Sequence, residues 1–167
     1  ELSQVDVCTT ITTDLETNLE VPRYNFLPAK ILITDDIPIN RELIISYLYD
    51  FNFTIFEAEN GLEAIEVAKK ELPDFIFMDM KMPVMNGYEA ATLLKEDPVT
   101  ANIPIIAVTA SAMKQSEKEI LNYCNGYLRK PVSQSILINE LAKFLAYEES
   151  DFINGKEKKS SKVLKFK

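Results

Sequence analysis

Histidine is missing from all 167 residues. That excludes His-ligated metal sites, imidazole general bases and phosphohistidine chemistry within this chain. Cysteine is nearly missing as well. Cys8 and Cys124 stand far apart, which is no disulfide framework, so reduced thiols in a cytoplasmic setting are expected. No apolar stretch approaches the roughly 18 residues of a membrane span, no secretory signal pattern opens the chain, and no repeat at a solenoid period is visible. Positive charge is also scarce. The net charge of −8 argues against binding to nucleic acid or to an anionic membrane. The exception is "KEKKSSKVLKFK" (156–167), where six Lys against one Glu make +5 and leave −13 on the rest.

What is present is the composition of one globular domain, 47% apolar and 26% charged, enough to bury a core. Residues 1–28, with Pro22 and Pro28, read as a linker or the end of a preceding domain, although "VDVCTTITT" has some strand character. From Lys30 short apolar runs alternate with helical patterns. "KILIT" (30–34), "FTIFEA" (53–58), "DFIFM" (74–78), "PIIAVTA" (104–110) and "GYLRK" (126–130) read as strands. Between them, Ile39, Leu43, Ile44, Tyr47, Leu48 and Phe51 recur at helical spacing behind Pro38, which suits a first turn. Residues 60–72 begin with Asn60 as N-cap and Glu63 three residues on, a capping-box pattern. Helices follow over 87–97 and 112–122, and "SQSILINELAKFLAYEE" (133–149) closes as an amphipathic helix. The alternation predicts an α/β fold, a doubly wound five-stranded parallel sheet over residues 29–147. Residues 148–167 form a basic tail without core pattern.

In such sheets ligands bind beyond the carboxyl ends of the strands. The first strand ends in Asp35-Asp36, the third in Asp79, the fourth in Thr109-Ala110-Ser111 and the fifth in Arg129-Lys130-Pro131. If the first and third strands are neighbours, three carboxylates converge, and mutual repulsion forces protonation unless a cation intervenes. Mg²⁺ suits that set, since it takes oxygen ligands and keeps waters a phosphate can replace. With Lys130 and the metal balancing charge, Asp79 can act as a nucleophile and form an acyl phosphate.

"ILITDDIPINRELI", "ENGLEAIEVA", "MDMKMPVMNGYEA", "IIAVTAS" and "YLRKP" together resemble the receiver domain of two-component response regulators, over residues 29–147. The resemblance implies the flavodoxin-like (βα)5 fold with strand order 2-1-3-4-5. It implies Asp79 as phosphoacceptor, and a Mg²⁺ site (Mn²⁺ as a substitute) from Asp35, Asp36, Asp79 and the backbone carbonyl of Lys81, with Asp36 the more direct ligand. Lys130, Thr109 and the backbone of Ala110 would contact the phosphoryl group, Thr109 and Tyr127 would form the switch, and the Lys130–Pro131 peptide would be cis. The implied partner is a histidine kinase or histidine phosphotransfer protein carrying the phosphohistidine this chain lacks, with a homodimer allowed. Mg²⁺-dependent self-phosphorylation and autodephosphorylation are expected rather than conventional enzyme turnover. Lys81 and Ser111 occupy positions that tune dephosphorylation in the family, and a comparatively long-lived acyl phosphate is expected. "LNYCNGYLRKP" lacks the family's usual Ala-Gly-x-Asp-like turn, and Thr34 stands where an aliphatic residue is commoner. The run from "LSQVDVCTT" through "NFLPAKILITDD" resembles a kinase-to-receiver junction. With a first residue other than Met and no DNA-binding domain in 148–167, it makes the C-terminal receiver of a hybrid sensor histidine kinase the expected origin, ahead of a stand-alone receiver.

Each residue also has a plainer reading. Asp35-Asp36 could cap a helix, Asp79 a turn, and Thr109 could bond backbone. Tyr127 could be core packing, and the Met-rich run (Met78, Met80, Met82, Met85) gap-filling. The basic tail could be a solvated terminus. A haloacid-dehalogenase-type phosphatase would need a D-x-D motif that "TDDIPIN" does not supply, and a flavin module a Ser/Thr/Gly-rich loop after the first strand. A phosphorylation-independent pseudo-receiver, docking proteins without chemistry, is the remaining alternative.

Overall fold

A computed structural model describes residues 24–110 and 114–149. The elements run β1 (Tyr24–Phe26), β2 (Ala29–Thr34), α1 (Pro38–Leu48), β3 (Phe53–Ala58), α2 (Gly61–Glu71), β4 (Phe75–Asp79), α3 (Gly87–Glu96), β5 (Ile105–Thr109), α4 (Lys114–Tyr123), β6 (Gly126–Arg129), α5 (Gln134–Ala142) and β7 (Tyr147–Glu149). Five strands form one parallel sheet in the order β3-β2-β4-β5-β6. Counted without β1, that is the expected 2-1-3-4-5. The two central strands flanking the site, β4 and β5, are buried along their whole length. Their alternate residues serve two cores, as a sheet covered on both faces requires. Phe75, Phe77, Ile106 and Val108 join Ile44, Leu48 and α5 on one side. Ile76, Met78, Ile105 and Ala107 join α2, α3 and α4 on the other. Met78 and Met80 are fully enclosed in the second core and Met82 and Met85 pack against it, so the methionine run is packing.

Local signals set the helix starts. Pro38 sits at the first position of α1, where its missing N–H costs nothing. The Asn60 side chain accepts from the Glu63 N–H, as its spacing predicts. The Glu63 carboxylate, however, accepts from the N–H of Glu59 rather than of Asn60. The complete capping box lies at α3, where Asn86 and Glu89 satisfy each other's backbone N–H groups.

Three features differ from the sequence expectation. The buried face of α1 is Arg41, Ile44 and Leu48, whereas Ile39 is 65% and Leu43 44% exposed. The last helix stops at Ala142, not 149. Beyond it the chain turns and Tyr147–Glu149 pairs antiparallel with Tyr24–Phe26. The folded unit therefore begins before residue 29. Phe26 is buried against Phe51 and Phe53, with ring centroids 5.3 and 5.4 Å away, and Tyr24 meets Tyr147 edge-on at 4.7 Å. A ribbon whose two strands come from opposite ends of the domain leaves no local periodicity to read. Residues 1–23 and 150–167, and with them Cys8, most of the expected linker and the basic tail, lie outside the described residues, as does Ser111. Cys124 is buried and has no disulfide partner among the described residues, and its thiol is pushed up to about 12 chiefly by desolvation, which keeps it protonated.

Candidate functional site

The site is assembled at the carboxyl ends of the central strands, opposite the β1–β7 ribbon. β2 and β4 are hydrogen-bonded neighbours, with Thr34 opposite Met78, so Asp35 and Asp79 leave adjacent strands side by side. Asp35, Asp36 and Asp79 each present a carboxylate oxygen within 4.8 Å of the others. Asp35 and Asp79 are buried and Asp36 is half-buried. Lys130, carried by the turn after β6, reaches both buried carboxylates, with Nζ 2.6 Å from Asp35 Oδ2 and 3.3 Å from Asp79 Oδ2. The Lys130–Pro131 peptide is cis, and the Lys130 N–H donates to the carbonyl of Thr109 at 2.9 Å.

The surroundings of each group set its charge. Burial pushes the Asp79 carboxyl up, and repulsion from Asp35 adds to it. The ammonium of Lys130 and the N–H of Lys81, 3.3 Å from Asp79 Oδ1, pull the other way without cancelling the rise. For Lys130, burial lowers the pKa, but the hydrogen bond to Asp35 and the charges of Asp79 and Asp35 outweigh it, and the net shift is upward. Asp35 is the best satisfied of the three. Oδ1 accepts from the Ile37 N–H at 2.9 Å, the Asn40 amide donates to both oxygens at 3.1 Å, and Lys130 completes the set. The plain capping role is not met, because Ile37 holds the N-cap position of α1 and no side chain caps it; Asp35 instead ties down the approach to the helix through the Ile37 N–H, and it also faces the other carboxylates.

Thr109 ends β5 one residue past Val108, the partner of Asp79, and is buried; Ala110 follows it and is exposed. Tyr127 lies on β6 and packs partly against the α3–α4 core. Its hydroxyl hydrogen-bonds Glu117, which raises the phenol's pKa, and Glu117 also pairs with Arg129 at 2.6 Å. Tyr127 is therefore turned toward α4 rather than joined to the carboxylates. The loop between β4 and α3 closes tightly over the site, because Gly87 lies so near Asp79 that a Cβ there would overlap the Asp79 carbonyl oxygen. Beside the carboxylates, Asp36, Lys81, Met82, Pro83 and Tyr88 line an open cleft of about 520 Å³.

Two participants escaped the sequence reading. Asn40 and Arg41 both bond Asp35, the first at its carboxylate and the second at its carbonyl. The available signal was the spacing of Arg41 with Ile44 and Leu48, which puts a charge on the core face of α1.

Residues 31–142 match the response regulator receiver domain family. The chain belongs to that family. This receiver, a domain of two-component signalling, is 34% identical over 120 residues to the polar-differentiation response regulator DivK of Brucella anthropi, covering 71% of this chain and 98% of the relative. Among solved structures it is similar to the chemotaxis protein CheY4 of Vibrio cholerae, at 28% identity and a TM-score of 0.67 over 71% of this receiver and 100% of that chain. It is equally similar to the receiver domain of the sensor histidine kinase PA1611 from Pseudomonas aeruginosa, at 28% identity and a TM-score of 0.66 over 71% and 98%. That structure holds a magnesium ion coordinated in its active-site cleft. No helix among the described residues is long and apolar enough to cross a membrane.

Proposed function

We propose that this receiver accepts a phosphoryl group onto Asp79 from a phosphohistidine on a histidine kinase or histidine phosphotransfer protein. The observation that carries this reading is the charge of the site: three carboxylates within 4.8 Å, two of them buried, face one ammonium among the described residues. Even with Lys130 in place the group carries two surplus negative charges, and a divalent cation supplies what is missing. The donor set is all oxygen, which fits Mg²⁺, and Mn²⁺ as a substitute. Asp36 and Asp79 would hold it directly with the carbonyl of Lys81, while Asp35, whose oxygens already accept several hydrogen bonds, supports from behind. Bound there, the ion supplies neutralisation of charge on phosphoryl oxygens.

The protein's own groups do the rest. An oxygen of the Asp79 carboxylate attacks phosphorus in line. The P–O bond forms as the P–N bond to the donor imidazole breaks, and the electron pair leaves on nitrogen. Lys130, already aimed at Asp79, shifts to a phosphoryl oxygen and offsets its charge. Thr109 and the N–H of Ala110, on the neighbouring strand end, donate to another. Withdrawal of Thr109 toward the phosphoryl group leaves space for Tyr127, whose exit from the Glu117 hydrogen bond completes the switch. The test is incubation with Mg²⁺ and a small acyl-phosphate donor, read by intact mass. Wild type should gain one phosphoryl group, Asp79→Asn none, and chelation should abolish the gain. Folded wild type that stays unmodified with both small donors and phosphohistidine proteins would leave a pseudo-receiver that docks without chemistry.

A further inference from the structure

Arg41 is a cation in the core, its side chain 8% exposed, and it spends all three guanidinium nitrogens on partners. Nε meets Glu57 Oε2 at 2.8 Å and Nη2 meets Glu59 Oε1 at 3.2 Å, both acids lying at or just past the end of β3. The third nitrogen, Nη1, donates to the backbone carbonyl of Asp35 at 2.7 Å. That last bond has a mechanical consequence. Asp35 and Asp36 lie between the end of β2 and the start of α1, outside any helix or strand. The Asp35 N–H is held by the Ala58 carbonyl, but the peptide joining Asp35 to Asp36 is fixed on its carbonyl side by Arg41. The Asp36 carboxylate hangs from that peptide.

We infer that Arg41 is a positioning residue for the metal site, orienting the Asp35–Asp36 peptide from behind so that the Asp36 carboxylate faces Asp79. The inference rests on the Mg²⁺ site proposed above. Glu57 and Glu59 aim the guanidinium, and the planar fork divides its donors between them and the carbonyl in a way a lysine ammonium cannot copy. Groups that orient metal ligands from outside the coordination sphere typically govern affinity by ten- to a hundredfold.

The sign of the effect separates this from the alternatives. Removing a positive charge near a cation site tightens the cation by Coulomb attraction alone, and a purely structural Arg41 leaves the affinity of the folded protein unchanged. Positioning predicts the opposite. The experiment is calorimetric titration of Mg²⁺ into wild type, Arg41→Gln and Arg41→Lys, each shown folded by circular dichroism at the titration temperature. Arg41→Lys retains the charge that pairs with Glu57 and Glu59, and so decides the matter should Arg41→Gln not fold. The expected result is a Kd raised about tenfold in both variants. Equal or tighter binding in a folded variant overturns the inference. Failure of wild type to bind Mg²⁺ at millimolar concentration instead sinks the proposed site itself, which keeps the two failures apart.

Discussion

Burial raises the pKa of the Asp79 carboxyl above its ordinary value although Lys130 pulls it down, so the fold favours the protonated form more than the unfolded chain does. A carboxyl raised in this way withdraws stability as pH climbs from its unfolded pKa through its folded one, and the penalty is complete above the folded pKa. Asp79→Asn should therefore raise Tm at neutral pH in chelator, and the gain should shrink as pH falls through the carboxylate range. Mg²⁺ should narrow it as well, because it binds and stabilises wild type selectively. Lys130, also raised, has linkage of the same sign in a far more alkaline window: its contribution is complete below its unfolded pKa and lost only as pH rises through its raised folded value. Thermal melts across pH, with and without Mg²⁺, check both signs. A second residue-scale cost sits next door. The Thr34 hydroxyl is buried with no hydrogen-bond partner among the described residues. Thr34→Val should stabilise the domain by about 1 kcal/mol in urea unfolding, since it removes an unsatisfied polar group. At this scale the sequence was legible wherever chemistry follows strand ends. Asp35, Asp36, Asp79 and Lys130 meet because β2 and β4 are neighbours and the turn after β6 reaches across them. It was silent where a side chain serves the backbone: nothing in the letters "INRE" announces that Arg41 bonds the Asp35 carbonyl.

Element by element, the readable parts were those specified locally. Pro38 places the start of α1, and Asn60 and the apolar strands place α2, β4 and β5 within a residue of their observed bounds. The errors came from long-range partners. "SQSILINELAKFLAYEE" carries helical spacing to its end, but Leu145 is drawn into the core and Phe144 meets Phe75 with centroids 5.7 Å apart. Tyr147 then finds Tyr24 and Phe26, 123 and 121 residues away in sequence, and the backbone extends to pair with them. Those contacts settle the conformation of a segment that periodicity alone assigns to helix. The ribbon has a measurable share in stability. Phe26→Ala should cost about 3 kcal/mol in urea unfolding, the usual loss for a buried phenylalanine. A chain beginning at Ala29 should lose a similar amount or more. Neither change should alter Mg²⁺ affinity of the folded protein, because the ribbon lies at the other end of the strands.

For the whole molecule, the doubly wound sheet divides the labour between its two ends. At the amino ends of the strands, aromatic rings from the ribbon, β3 and the α1–β3 turn close one core. At the carboxyl ends, where successive parallel strands all point, the carboxylates and the ammonium collect. The acidic balance of the chain suits a protein partner better than nucleic acid. The claim on which the rest depends is covalent: an acyl phosphate on one named carboxylate. Borohydride reduces an aspartyl phosphate to homoserine, so reduction after phosphorylation in Mg²⁺, followed by peptide mass mapping, reads the position directly. Homoserine at Asp79, absent when Mg²⁺ is chelated, is the predicted result. Homoserine at Asp35 or Asp36, or none from a protein that has bound Mg²⁺ and met an active donor, would contradict it.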